Sequence, residues 1–216
     1  MPVNVDAYKK LKAELDSKNV SFVAVSKTKP VEDILELYQL GHRDFGENYV
    51  QELVDKQEQL PKDIRWHFIG HLQSNKIKYI APFVHLIHGV DSLKLLQEIN
   101  KQATKNERVI DCLLQVHIAK EETKFGMDEN ELAEAITNAT SLKHIQIKGL
   151  MGMASFTEDM SVVRSEFKYL KLLYNKYTSF EILSMGMSSD YAVAIEEGSN
   201  MVRIGSLLFG ARNYNK

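Results

Sequence analysis

The sequence is short of the features that would place a protein outside the cell or in a membrane. It has a single cysteine, Cys112, among 216 residues, so no intrachain disulfide can form. The apolar neighbours Leu113 and Leu114 point to a buried thiol in a reducing compartment, which makes the cytoplasm the natural location. The start, Met1-Pro2-Val3-Asn4-Val5-Asp6, lacks the basic and then apolar pattern of a secretory signal. No apolar run reaches the roughly 18 to 20 residues that cross a bilayer. The best stretch, Ile80 to Val90, is broken by Pro82, His85 and His88. Charge of one sign is not in excess either: 27 basic against 29 acidic residues give no electrostatic case for a nucleic-acid or anionic-membrane partner. A small anionic ligand would need a local site. Pro/Gly/Ser-rich linkers, low-complexity tracts and short repeats are all missing, so a domain boundary has nothing to sit on and residues 1–216 read as one domain.

What the chain does have is enough apolar sequence, 44%, to build a substantial core. Short β-rich apolar runs alternate with longer segments of helical period, the pattern of parallel strands joined by crossover helices. Phe22 to Val25 is apolar without alternation, as expected when both faces of a strand are covered. Pro30 opens a helix in which Val31, Ile34, Leu35 and Tyr38 form one stripe and Gly41 supplies the stop. Further strands are expected at Arg43 to Gly46, Trp66 to Gly70, Val84 to Val90, Val109 to Ile118, Ile145 to Met151, Glu181 to Ser184 and Met201 to Ile204. Asp91 reads as the N-cap of a helix carrying Leu96, Ile99 and Ala103, and Asp128 with Glu131 as a capping box before Leu132, Ala135, Ile136 and Ala139. Val163, Phe167, Leu170 and Tyr174 stripe another helix. Eight β/α units predict an α/β fold, a (β/α)8 barrel of the TIM type, with a doubly wound open sheet as the alternative.

Barrels place their sites at the C-terminal ends of the strands, so the residues after each apolar run are the candidates. Lys27, in Ser26-Lys27-Thr28-Lys29, would be an amine among apolar barrel residues, where burial favours imine formation. On its own the segment reads more readily as solvated loop lysines, Lys27 and Lys29. Asn48, in Phe45-Gly46-Glu47-Asn48-Tyr49, is either a ligand contact or, with Glu47, part of a helix start. His67 and His71 are four apart, the spacing of a metal pair on a helix, but the segment reads as a strand and no metal site is expected. Ser184-Met185-Gly186-Met187-Ser188 and Arg203-Ile204-Gly205-Ser206 close the seventh and eighth strands, where barrels commonly bind phosphate; ordinary turn chemistry is the competing account.

Ala24-Val25-Ser26-Lys27-Thr28-Lys29-Pro30, Phe45 to Tyr49, Trp66-His67-Phe68-Ile69-Gly70-His71-Leu72-Gln73-Ser74-Asn75-Lys76 and Leu183 to Ser188, in this order, resemble the pyridoxal phosphate homeostasis protein family of the YggS/PROSC type. Thr123-Lys124-Phe125-Gly126, Gly149-Leu150-Met151 and Val202-Arg203-Ile204-Gly205 extend the resemblance over nearly the whole chain. The resemblance implies the barrel of the alanine racemase N-terminal domain and pyridoxal 5'-phosphate (PLP) held as a Schiff base on Lys27. It further implies that Ser184, Gly205 and Ser206 help hold the phosphate, that Arg203 faces the pyridine nitrogen, and that Asn48 contacts the ring. Ser206 stands where the family pattern has Thr; the hydroxyl is kept.

A permanently charged guanidinium beside the ring nitrogen disfavours its protonation and weakens the electron sink that transaminases rely on. Racemisation would need a second base, which in alanine racemases comes from a C-terminal β domain. After Arg203 the sequence leaves room only for a last helix, in which Leu207, Leu208 and Phe209 are expected to pack on the barrel. Tyr191 and Tyr214 are more simply surface or packing residues. The expected function is therefore intracellular buffering or delivery of PLP without robust catalysis, by a monomer in transient contact with PLP-dependent enzymes. A PLP-dependent racemase, a sugar-phosphate enzyme with an aldolase-type lysine and a pure scaffold are the competing readings.

Overall fold

The structure is a computed structural model, and it describes residues 3–121 and 125–210. Thr123, Lys124 and Tyr214 of the sequence argument lie outside the described residues. Eight strands close into a barrel in sequence order: β1 (Ser21–Val25), β2 (Asp44–Glu47), β3 (Arg65–Phe68), β4 (Leu86–Val90), β5 (Ile110–Gln115), β6 (Ile145–Met151), β7 (Ile182–Met187) and β8 (Met201–Ile204). β1 closes the ring by pairing in parallel with β8, with Val23 opposite Arg203. The open-sheet alternative is thereby excluded.

The helices are α1 (Val5–Ser17), α2 (Val31–Gln39), α3 (Val50–Gln59), α4 (Ile77–Ile80), α5 (Leu93–Lys105), α6 (Glu129–Ala139), α7 (Met160–Tyr174), α8 (Tyr191–Glu196) and α9 (Ser206–Phe209). Two hydrophobic layers result. Phe22, Ala24, Phe45, Ile87, Leu114 and Ile204 belong to the large layer in which strands meet helices, whereas Val23, Leu86, Leu113, Met151 and Met201 pack together as a small inner cluster. Successive strand residues therefore serve opposite faces, and both faces of β1 are covered, which is why it shows no apolar–polar alternation. Cys112 is fully buried, and burial pushes its thiol well above the ordinary range. Among the described residues no helix is long and apolar enough to cross a membrane.

Several local expectations are corrected. The buried stripe of α2 runs through Ile34 and Leu37, while Leu35 is 37% exposed, because the helix turns the arc between Ile34 and Leu37 toward the barrel. Gly41, at φ +92°, sits just past this helix, where a Cβ would be strained. α5 is capped by Ser92, whose Oγ accepts from the Leu95 amide; Asp91 instead accepts from the His71 ring, at 3.1 Å. The capping box of Asp128 and Glu131 is present on α6. In α9, Leu208 and Phe209 are buried but Leu207 is 40% exposed. α1, with Tyr8, Leu11 and Leu15 buried, is an additional helix ahead of the first strand.

Candidate cofactor site

At the C-terminal end of the barrel a cavity of about 370 Å³ opens between the β1, β2, β3, β6, β7 and β8 loops. That volume falls in the range typical of small-molecule sites. Five of the six residues singled out from the sequence line it: Lys27, Asn48, Arg203, Gly205 and Ser206. They come from positions as far apart as 27 and 206, and barrel closure through the β1–β8 pair is what joins them. Ser184 is placed elsewhere. It is fully buried below the cavity, and its Oγ accepts a 2.6 Å hydrogen bond from Arg203 Nη1. The hydroxyls that do line the cavity from the β7 loop are Ser188 and Ser189, and Ser188 Oγ accepts from the Gly205 amide at 3.2 Å. The sequence pointed to the right loop, but only the turn after β7 decides which serine reaches the cavity.

The chemistry of the lining is uneven. Ser188, Ser189, Ser206 and the Gly205 backbone gather at one side and suit a phosphate; Lys27 and Lys29 add amines; Ile69, Met153 and Phe156 offer apolar and aromatic surface for a flat ring. Lys29 Nζ donates to the Phe209 carbonyl at 2.7 Å, tying the β1 loop to α9. Arg203 is 3% exposed, and burial lowers its pKa to about 10, which leaves it a cation at neutral pH. Asn48 Oδ1 is buried without a hydrogen-bond partner, so the cavity presents an unused acceptor beside its amines. Gly70 lets β3 come close here, since a Cβ on it would lie 2.3 Å from the Asn48 carbonyl oxygen. This set of residues fits PLP: donors for a phosphate, a lysine for an aldehyde, and a guanidinium and an amide for the ring.

The segment carrying Lys27 is held from behind by an arrangement that the sequence reading did not find. Glu47 lies on β2 facing away from the lumen, fully buried, and so does not act as a helix cap. Its Oε1 accepts from Ser26 Oγ at 2.7 Å and from Lys56 Nζ at 2.8 Å. Lys56 Nζ also donates to the Ser26 carbonyl at 2.8 Å and to Glu52 Oε1 at 2.7 Å, which fills all three of its N–H donors. Glu52 Oε1 in turn accepts from the Thr28 amide at 2.6 Å. Thr28 has φ +64°, a left-handed conformation unusual for a β-branched residue. Both neighbours of Lys27 are thus pinned, and the strained backbone at Thr28 is held by a carboxylate.

Burial, with the Glu52 charge nearby, pushes Glu47 up to about 7 against the pull of Lys56. Because this lies above the unfolded value of 4.5, Glu47 contributes stability that is complete below 4.5 and lost as pH rises through about 7. An isotope-edited carboxyl titration should place the Glu47 midpoint near 7, and Glu47→Gln should flatten that part of the stability profile. A midpoint at the ordinary carboxylate value would contradict the arrangement.

His67 and His71, four apart in sequence, have separate partners: His67 points into the lumen toward His88 and Asp44, and His71 pairs with Asp91 and stacks on Phe125.

A closed parallel barrel with Lys27 just after β1 and the buried Arg203 on β8 fits the class of the alanine racemase N-terminal domain, and that family model matches residues 6–213. Within it the chain belongs to the pyridoxal phosphate homeostasis protein family. It is 39% identical over 208 residues to the pyridoxal phosphate homeostasis protein of Pasteurella multocida (strain Pm70), covering 91% of this chain and 88% of that protein. Among solved structures it resembles PipY of Synechococcus elongatus PCC7942 with PLP bound: TM-score 0.87, 34% identity, 95% of this chain and 99% of that one. Alanine racemase from Bartonella henselae shares the fold at TM-score 0.74 and 17% identity, over 95% of this chain and 59% of that one. The relatives of this family carry the name of a homeostasis protein rather than of an enzyme.

Proposed function

We propose that this chain binds PLP in the cavity at the top of the barrel, covalently through Lys27, and serves PLP homeostasis by buffering or delivering the cofactor rather than by turning over a substrate. The observation that carries the reading is the convergence of Lys27, Asn48, Arg203, Gly205 and Ser206 on one cavity. The PLP-bound state of PipY, a structure sharing 34% identity, supports the same ligand.

When bound, PLP supplies a reactive aldehyde. The Lys27 amine would take it up as a Schiff base with loss of water, a reversible linkage that suits storage. Gly205, Ser206 and the serines Ser188 and Ser189 would hold the phosphate, and Asn48 and Arg203 the ring. A guanidinium at the ring nitrogen withholds the proton that carbanion chemistry relies on, which favours carriage over catalysis. Ser184 contributes through Arg203 instead of touching the phosphate.

We further read residues 1–216 as one domain, monomeric, in transient contact with the PLP-dependent enzymes it would supply, and located in the cytoplasm. The eight strands forming one barrel support the single domain, and the reduced, buried Cys112 suits that compartment. A sizing column should return a mass near 24.7 kDa; twice that would overturn the monomer.

The central experiment is an absorbance spectrum of the protein mixed with PLP, before and after borohydride, followed by a peptide map. A visible band that becomes a reduced adduct on the peptide containing Lys27 is the expected result. Label scattered over surface lysines would refute the site.

A further inference from the structure

Below the cavity the barrel lumen is not purely apolar. Arg203 Nη1 donates to Ser184 Oγ at 2.6 Å, Ser184 Oγ lies 3.2 Å from His88 Nδ1, and His88 Nε2 lies 2.9 Å from His67 Nδ1. His67 Nε2 is 3.0 Å from Asp44 Oδ1, and Asp44 is gripped at its outer side by Arg65 at 2.7 and 2.5 Å. His88 is on β4 and Ser184 on β7, strands separated by β5 and β6, so their contact spans the lumen. His67, His88, Ser184 and Arg203 are all buried. The other groups facing the row are His85, whose ring centroid is 5.4 Å from that of His67, the buried carboxylate Asp190, whose charge acts on Arg203, and the Ser184 and Gly152 carbonyls, which take further hydrogen bonds from Arg203.

The proton positions follow from the two ends. Arginine can only donate and an ionised carboxylate can only accept. With Arg203 donating to Ser184, the serine proton is free to go to His88 Nδ1; His88 then donates from Nε2 to His67 Nδ1, and His67 from Nε2 to Asp44. Every proton in this order has an acceptor. In the opposite order His67 would be an imidazolium, His88 would donate to Ser184, and the serine would lose that acceptor for its own proton. Burial, with the neighbouring His67 and Arg203, holds His88 well below the ordinary histidine range, in keeping with a neutral ring. Nη1 and Nη2 of Arg203 donate to neutral oxygens of Ser184 and Gly152, and from Ser184 the row leads on to the Asp44 carboxylate.

We propose that Ser184, His88, His67 and Asp44 are positioning residues for Arg203: a one-way hydrogen-bonded row across the barrel lumen that fixes the guanidinium at the cavity floor. The link from Arg203 to a cofactor ring rests on the PLP reading above; the row itself does not.

Two measurements separate these. First, long-range 1H–15N NMR of the ligand-free protein reads each ring directly. Neutral Nε2–H tautomers for both His67 and His88 at pH 7 are expected; an Nδ1–H His88 or a doubly protonated His67 would overturn the row. Second, His88→Leu and Asp44→Asn are loaded with PLP and their visible band is followed with pH. The midpoint should move by about tenfold in proton concentration, and His88→Gln, which can accept and donate, should restore it. An unmoved band and midpoint in both variants, with wild-type behaviour as reference, would show that the row does not position Arg203. Asp44→Asn sits at the partly exposed end, so the test survives if His88→Leu fails to fold. Should the wild-type protein give no band at all, the PLP reading falls while the tautomer result still decides the row.

Discussion

Replacing Lys27 by Ala should abolish the visible band and the borohydride-fixed label, while leaving the barrel folded. Lys27 is half-buried at the rim of the cavity, at the end of a strand whose core residues Phe22, Val23 and Ala24 do the packing, so truncating its side chain removes chemistry and little burial. The phosphate side of the cavity, built from the Gly205 backbone and the hydroxyls of Ser188, Ser189 and Ser206, is untouched by the change. Lys27→Ala should therefore still bind PLP, weakly and without the covalent link, and the rise in melting temperature on adding PLP should shrink rather than vanish. Lys29 lines the same cavity, but its ammonium is tied to the Phe209 carbonyl, so it should not take over the label. Undiminished label in Lys27→Ala, or label moved onto Lys29, would refute the assignment of the handle.

The second large effect is expected at a residue that never touches the cavity. Lys56→Met should lower stability by about 3 kcal/mol, because removing one partner of a buried ion pair strands the other. Glu52 is 22% exposed on its side chain and can turn to water, whereas Glu47 is wholly enclosed and must take up a proton or stay uncompensated. The Ser26 carbonyl loses its ammonium donor at the same time. A urea midpoint that falls with an unchanged slope would report this loss. Adding Glu47→Gln to Lys56→Met should recover much of it, since the stranded carboxylate is then gone. A loss below about 1 kcal/mol, the scale of an exposed pair, would mean the cluster is not the clamp described. Loading with PLP should slow in Lys56→Met, as the backbone on either side of Lys27 is no longer pinned.

The barrel was legible in the sequence because its signals are local: apolar runs covered on both faces, helical stripes, and a capping box at Asp128 and Glu131. Where competing local signals met, the tertiary structure chose. Asp91 and Ser92 are adjacent and equally good caps; His71 claims the first and α5 is left with the second. The helix α1 carries a readable stripe in Tyr8, Leu11 and Leu15. At the site, Lys27, Asn48 and Arg203 stood out as candidates because each ends or follows a strand, and the family resemblance is what gave them roles. The support around them did not stand out. Glu52 and Lys56 form an i, i+4 pair that any helix would show, but only the pairing of β1 with β2 brings Glu47 and Ser26 to it. His67 and His88 are 21 residues apart, and nothing short of the closed barrel indicates that their rings meet.

The enclosed position of Cys112 has a practical side. As the chain's sole thiol, shielded within β5 and hard to ionise, it should ignore a maleimide dye while the barrel is folded. A single cysteine introduced at Phe156, which is 97% exposed at the cavity mouth, would then carry the only label. The native chain is in effect already a blank background for fluorescence, and a dye at that mouth would let loading and release of the ligand be watched in real time without altering any other residue.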